Sequence, residues 1–372
     1  MTADVLTQRA LNRATLERQL LLTRCAMEPY DAVGYLVGLQ SQVPLNPYVA
    51  LWSRLDAFDP VALGQLMTDR RLVRIVVMRG TIHLVTDDDA LALRPLFQPV
   101  LDMELERHAE HAPFLRGADL TPVLEFAKPL LAETPMNGTK LRAAIAERFP
   151  DLNAAAFAYA CRNHLALVQI PPRGVWGRTL QVTNTPVDAW LGRPLVEHPS
   201  LDEMVLRYLA AFGPATPADA TNWSRLTGLR EVFDRLAPRL RAFTDEKGRE
   251  LFDLPDAPRP DPDTPAPVRI LPEYDNVLLS HADRTRFTTD DAPYRMFQTA
   301  EPVHGTVLVD GLVQATWRID KDKVSGSATL VLTHTERWTK RTSDAVLAEG
   351  RRFVEFYEPS AASHDTRVVA LD

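Results

Sequence analysis

The feature that most narrows the fold is a layout that recurs three times along the chain: short helical patterns that close on a two-stranded hairpin. In the first copy, apolar spacing predicts helices over 12–24 and from Tyr30 to about Gln40, then over 47–55 and 60–69. The last two each open on a proline, which the first turn of a helix tolerates. Arg71–Val77 is β-rich, Met78-Arg79-Gly80 turns it, and Thr81–Val85 returns. Helices followed by a hairpin are the layout of a winged helix. A helical connector over 88–111 leads to a second copy, with helices at 122–133, 139–149 and 152–165. Its strands are expected at 167–170 and 179–182, around the turn Pro171-Pro172-Arg173-Gly174. The third copy has helices at 201–212, 218–225 and 230–240 and a hairpin at 240–244 and 250–254. The copies share layout and not residues, so the repeat is one of architecture.

A Pro- and Asp-rich stretch over 255–267 reads as a linker or a wrapped loop. Beyond it the pattern changes to strands at 268–271, 303–309, 312–319 and 328–334, with Asp310-Gly311 as a hairpin signal. A helix over 343–356 precedes the tail. This part reads as a small antiparallel sheet or barrel with one helix packed on it. The expected fold class is α+β: three tandem winged-helix modules followed by a C-terminal antiparallel β-barrel-like domain. The expected units are winged helix 1 over 1–87, a connector over 88–115, winged helix 2 over 116–198, winged helix 3 over 199–255 and the C-terminal domain over 256–372.

With 372 residues, 45% apolar and 24% charged, the chain has the make-up of a soluble protein of several domains. No apolar run is long enough to span a bilayer, and Met1–Val5 lacks the layout of a signal peptide. Two cysteines, Cys25 and Cys161, argue against a disulfide framework or a thiolate zinc site, so a reducing cytoplasm is expected. A net charge of −7 counts mildly against nucleic acid, yet a basic cleft can coexist with an acidic exterior.

Within the first copy, Leu39-Gln40-Ser41-Gln42-Val43-Pro44 holds the most specific chemistry. Pro44 disfavours the α conformation at Val43, so the helix is expected to give way here. In an extended exit, residues two apart face the same way. Gln40 and Gln42 would present neighbouring carboxamides, each with one acceptor and two N–H donors. Tying up loose backbone groups at a helix end is the plainer account of the pair. Candidate DNA contacts are Arg79 and His83 on the first wing, Arg173 and Arg178 around Trp176 on the second, and Arg284 and Arg286 before Phe287. Cations beside an aromatic in a turn suit phosphate contact with stacking or groove insertion. For Trp176 the competing reading is a plug between domains. His108 and His111 lack the spacing of a two-histidine zinc helix. Asp87-Asp88-Asp89 reads as a helix start and not as a metal site. No metal is expected.

Five segments taken together, Leu39–Gln42, Met78–Val85, Gly213-Pro214-Ala215-Thr216, Leu271-Pro272-Glu273-Tyr274-Asp275-Asn276 and Val309-Asp310-Gly311, resemble the AlkZ-type DNA glycosylases, winged-helix proteins of actinobacteria. The resemblance spans nearly the whole chain. It implies three tandem winged helices and a C-terminal barrel around a C-shaped cleft for duplex DNA. It also implies two catalytic glutamines flanking an aliphatic residue, which map onto Gln40 and Gln42; Ser41 departs from that pattern. The implied activity is monofunctional excision of cationic N7- or N3-alkylated purines, bulky adducts and interstrand crosslinks included. Its setting would be DNA repair or self-resistance to a DNA-alkylating natural product. The expected protein is a cofactor-free, nucleoid-associated monomer whose partner is double-stranded DNA carrying such lesions. The alternative is a non-catalytic winged-helix DNA-binding protein, either a transcriptional regulator or a lesion-sequestering resistance protein.

Overall fold

The computed structural model describes residues 4–288, 304–334 and 337–370. Val303, the expected start of one strand, and Met1–Ala3 lie outside the described residues. In chain order the strands are β1 (Val5–Leu6), β2 (Leu39–Gln40), β3 (Leu72–Val76), β4 (Ile82–Thr86), β5 (Leu167–Gln169), β6 (Asn184–Pro186), β7 (Arg241–Asp245), β8 (Glu250–Asp253), β9 (Arg269–Leu271), β10 (Gly305–Val309), β11 (Leu312–Lys321), β12 (Ala328–His334) and β13 (His364–Ala370). They form three sheets, and with the helices between them the class is α+β.

The first two hairpins do not make separate sheets. They join in one five-stranded sheet of order β2-β4-β3-β5-β6, through antiparallel pairing of Arg74 with Gln169 and Ile75 with Val168. The expected strand at 179–182 is irregular chain, and β6 takes its place further on. The expected helix to Gln40 stops at Tyr35. Val37 and Gly38 then adopt left-handed φ of 56° and 87°, and the Gly38 N–H donates to the Val33 carbonyl at 2.9 Å. That is a Schellman-type stop. Only glycine fits at Gly38, because a Cβ there would lie 2.7 Å from Val85 Cγ1. The stop turns Leu39 and Gln40 into an edge strand on β4.

Side chains alternate across a strand, so directly paired residues share a face. One face of this sheet carries Val73, Ile75, Val85 and Val168, packed on Val205, Tyr208 and Trp223. Each such aliphatic side chain contributes about 1.5–3 kcal/mol on burial. The other face carries Leu39, Leu72 and Leu84, packed on Tyr48, Leu51 and Met67 from the helices Asn46–Arg54 and Pro60–Thr68. The third hairpin, β7 and β8, gains the N-terminal β1 as a parallel edge strand.

The C-terminal sheet corrects the expectation of an antiparallel barrel. Its order is β13-β12-β11-β10-β9, and among the described residues it does not close. β13 runs parallel to β12. A parallel neighbour needs a crossover, which the helix Lys340–Tyr357 provides. At the other edge the Ser53 hydroxyl donates to the Ile270 carbonyl, so the helix Asn46–Arg54 covers β9.

Candidate active site

Gln40 and Gln42 have different surroundings. Gln40 is paired with His83 across β2 and β4 and is 7% exposed. Its Oε1 accepts from Arg79 Nη2 at 2.7 Å. The same Nη2 donates to Asn276 Oδ1 at 2.8 Å and approaches His83 Nε2 at 3.2 Å, while Nη1 donates to the Trp223 carbonyl at 2.9 Å. Asn276 Nδ2 in turn donates to the Gly38 carbonyl at 3.0 Å. Asn276 is placed by its neighbour: Asp275 accepts both Arg54 Nη groups, at 2.8 and 2.9 Å, in a fully buried pair.

The Thr81 carbonyl only accepts, so the His83 ring proton sits on Nδ1 and is donated to it at 3.0 Å, which leaves Nε2 as the lone pair facing Arg79. That is a neutral imidazole. Burial first, and then the Arg79 charge, push the His83 pKa down to about 3.

Ser41 turns to the opposite face, where it is fully buried. Its hydroxyl accepts from Arg74 Nε at 2.9 Å and its carbonyl from Arg74 Nη2 at 2.7 Å. A polar residue is therefore satisfied at the position where the resemblance implies an aliphatic one. Beyond Ser41 the chain bends, and Gln42 is exposed, its Oε1 3.5 Å from the Ile82 N–H. Gln42 stands at the rim of a cavity of about 300 Å³, whose lining includes Arg74, Arg162, Gln169, Arg173 and Asn184 and no Asp or Glu.

The other expected contacts separate by burial. Arg173 lines that cavity, and Arg178 is exposed on the irregular chain that follows. Arg284 is half-buried in the short turn Arg284–Arg286. Three of the expected contacts are engaged with the protein itself, His83 and Arg286 buried and Trp176 half-buried. His83 is enclosed as described. Arg286 is 6% exposed and donates to Thr15 Oγ1 at 2.8 Å and to the Pro214 carbonyl at 3.0 Å. The Trp176 ring stacks on Phe356 at a centroid distance of 5.2 Å and lies tilted against Tyr48 at 5.0 Å, and its backbone N–H donates to Tyr48 Oη at 3.0 Å. Arg79, half-buried, is drawn into the knot around Gln40.

Asp87–Asp89 form the first turn of the helix Asp87–Leu96, capped by Thr86. His108 and His111 stack on each other, and both lie tilted against Tyr159. Residue-by-residue reading passed over Arg74, Arg162, Gln169 and Asn184. A polar residue in each of three strands was the available signal, and only the pairing of β3, β5 and β6 aligns them. Among the described residues no helix is long and apolar enough to cross a membrane.

The chain is 24% identical over 329 residues to an interstrand DNA cross-link repair glycosylase of Streptomyces sahachiroi, covering 82% of this chain and 85% of that protein. The solved structure of the Streptomyces sahachiroi DNA glycosylase AlkZ superposes with a TM-score of 0.74 at 22% identity, over 99% of this chain and 100% of that one, which establishes the shared fold. Residues 33–356 match the family model described as DNA glycosylase AlkZ-like, and the chain therefore belongs to the AlkZ-like DNA glycosylases.

Proposed function

We propose that this protein is a monofunctional glycosylase that excises cationic N7- or N3-alkylated purines from double-stranded DNA, acting as a monomer in repair or in resistance to an alkylating natural product. The observation that carries the reading is the pair of glutamines: Gln42 exposed beside a basic cavity, and Gln40 held rigidly behind it by Arg79. Alkylation at N7 leaves the purine cationic, so it departs as a neutral base. The sugar becomes oxocarbenium-like, as in glycoside hydrolysis. The Gln42 carbonyl orients a water toward C1′ and aims its dipole at the developing positive charge. Gln40 keeps a second lone pair on Oε1 beyond the bond from Arg79, and its fixed strand sets where Gln42 emerges.

Neither carboxamide can ionise a water or protonate a leaving base. The cavity lining supplies no carboxylate for either task. The chemistry then suffices where the glycosidic bond is already weakened by the charge on the base, and not for uracil or hypoxanthine. Bulky adducts and crosslinks, the latter named in the Streptomyces relative, fall within the range if the cleft stays open around the duplex. Release of 7-methylguanine from a defined duplex tests the reading, with chromatography of the freed base. Tight binding without release would leave a non-catalytic DNA-binding protein, and efficient release of uracil would point to an acid or base outside this site.

A further inference from the structure

The cavity beside Gln42 has the make-up of an anion site. Arg74 pairs with Gln169 across β3 and β5, and Gln169 pairs with Asn184 across β5 and β6. Their side chains therefore stand in one row on one face. Arg173 reaches the cavity from the 171–174 turn and Arg162 from the helix Ala154–His164, so three guanidinium groups line a space of about 300 Å³ that no carboxylate shares.

Arg74 is 1% exposed, and Ser41 takes its Nε and Nη2. Its Nη1 is buried with no protein partner, as are Arg173 Nε and Gln169 Oε1. Charged donors buried without acceptors are costly, and a structure keeps them where a ligand completes them. The orientation of Arg74 is fixed from two sides. Ser41 holds one edge of the guanidinium, and the backbone at Gly174 presses on the side chain so closely that a Cβ would lie 2.8 Å from Arg74 Cδ. Burial, with Arg173 nearby, lowers the Arg74 pKa to about 10, which leaves it a cation at neutral pH.

We propose that this cavity seats one backbone phosphodiester of the DNA strand, gripped by Arg74 Nη1 and Arg173, next to the nucleotide that Gln42 faces. Guanidinium forks match phosphate oxygens in geometry and charge, and a seated phosphate fixes the distance from Gln42 to the neighbouring sugar. Ser41, where the resemblance implies an aliphatic residue, is then the residue that aims Arg74. The inference rests on the reading above in taking DNA as the ligand, and not on the identity of the lesion.

The test is a methylphosphonate walk. Duplexes carry one neutral linkage at successive positions, in two series: undamaged for binding, and with a single 7-methylguanine for base release. In the wild type, one position beside the lesion should weaken binding and release by about tenfold, the scale of one charge-assisted hydrogen bond. In Arg173→Ala, where Arg74 alone still faces the linkage, the same substitution should cost clearly less than in the wild type, and the slope of log affinity against log salt should become shallower by up to about 0.9, one phosphate contact. Normal release with no sensitive position, or an additive loss in R173A, overturns the phosphate seat and leaves the glycosylase reading intact. A sensitive position in the binding series with no release at any lesion keeps the seat and overturns the catalytic reading. Competition by inorganic phosphate at matched ionic strength, with no sensitive position, assigns the cavity to a free anion and overturns the DNA assignment. The walk on the wild-type protein decides the matter even if R173A does not fold.

Discussion

The two faces of the five-stranded sheet treat an arginine in opposite ways. On one face Arg79 meets Gln40, His83, Asn276 and the Trp223 carbonyl, and the surrounding residues are nearly all buried. On the other, Arg74 gives two of its nitrogens to Ser41 and keeps Nη1 for a cavity. Both sit in β-rich sequence of similar composition. The difference comes from what crosses above the sheet. The helices Leu201–Phe212 and Pro217–Ser224 press on the first face, while the helices Asn46–Arg54 and Pro60–Thr68 cover the second only as far as the Arg74 row. One network is closed by protein partners, and the other leaves a guanidinium nitrogen without one.

The contrast can be broken most strongly at Arg79. Arg79→Met leaves Gln40, Asn276 and the Trp223 carbonyl without a charged donor, each such bond being worth about 1.5–3 kcal/mol. We expect a loss of 3 kcal/mol or more (roughly two such bonds) in urea unfolding, whereas Gln169→Leu on the open face should cost far less. An equal cost on both faces would dissolve the distinction. Next comes Gln42→Ala, which should lower 7-methylguanine release about 100-fold, equivalent to ~2.7 kcal/mol in the barrier, with an unchanged melting temperature. Gln40→Ala should lower release and also destabilise the fold, because Gln40 belongs to the closed face.

The closed face should also be the acid-sensitive one. The folded pKa of His83 lies near 3, against about 6.5 when unfolded. Between those values the unfolded state binds more protons, so stability is full above pH 6.5 and falls as the pH drops toward 3. From pH 6.5 to 5 the loss from His83 is about 1.6 kcal/mol. His281, buried and likewise depressed to about 3, adds in the same direction. Denaturant unfolding across that range checks the slope, and His83→Gln should flatten it.

The smallest effect is expected between Ser41 and Arg74. Ser41→Val leaves Arg74 Nε unpaired and should cost about 1–2 kcal/mol. Adding Arg74→Met should recover part of that cost, a coupling of about 1 kcal/mol in a double-mutant cycle. Strict additivity would mean that Ser41 merely packs.

What the sequence determined by itself is local. Apolar spacing set the helix Leu201–Phe212 to the residue, Asp310-Gly311 set the β10–β11 hairpin, and Pro60 set the start of its helix. Each depends on neighbours a few positions away. The two glutamines stood out in the motif that resembled the family, and the match over residues 33–356 belongs to the same level. Only the tertiary structure decided which carboxamide is enclosed, because Gln40 is fixed by Arg79 and Asn276, 39 and 236 positions along the chain. The same holds for the row Arg74–Gln169–Asn184, which exists because two hairpins pair edge to edge, and for Trp176, which packs on Tyr48 and Phe356. Strand pairing at long separation depends on which edges remain uncovered once the helices have packed, and no window of sequence contains that information.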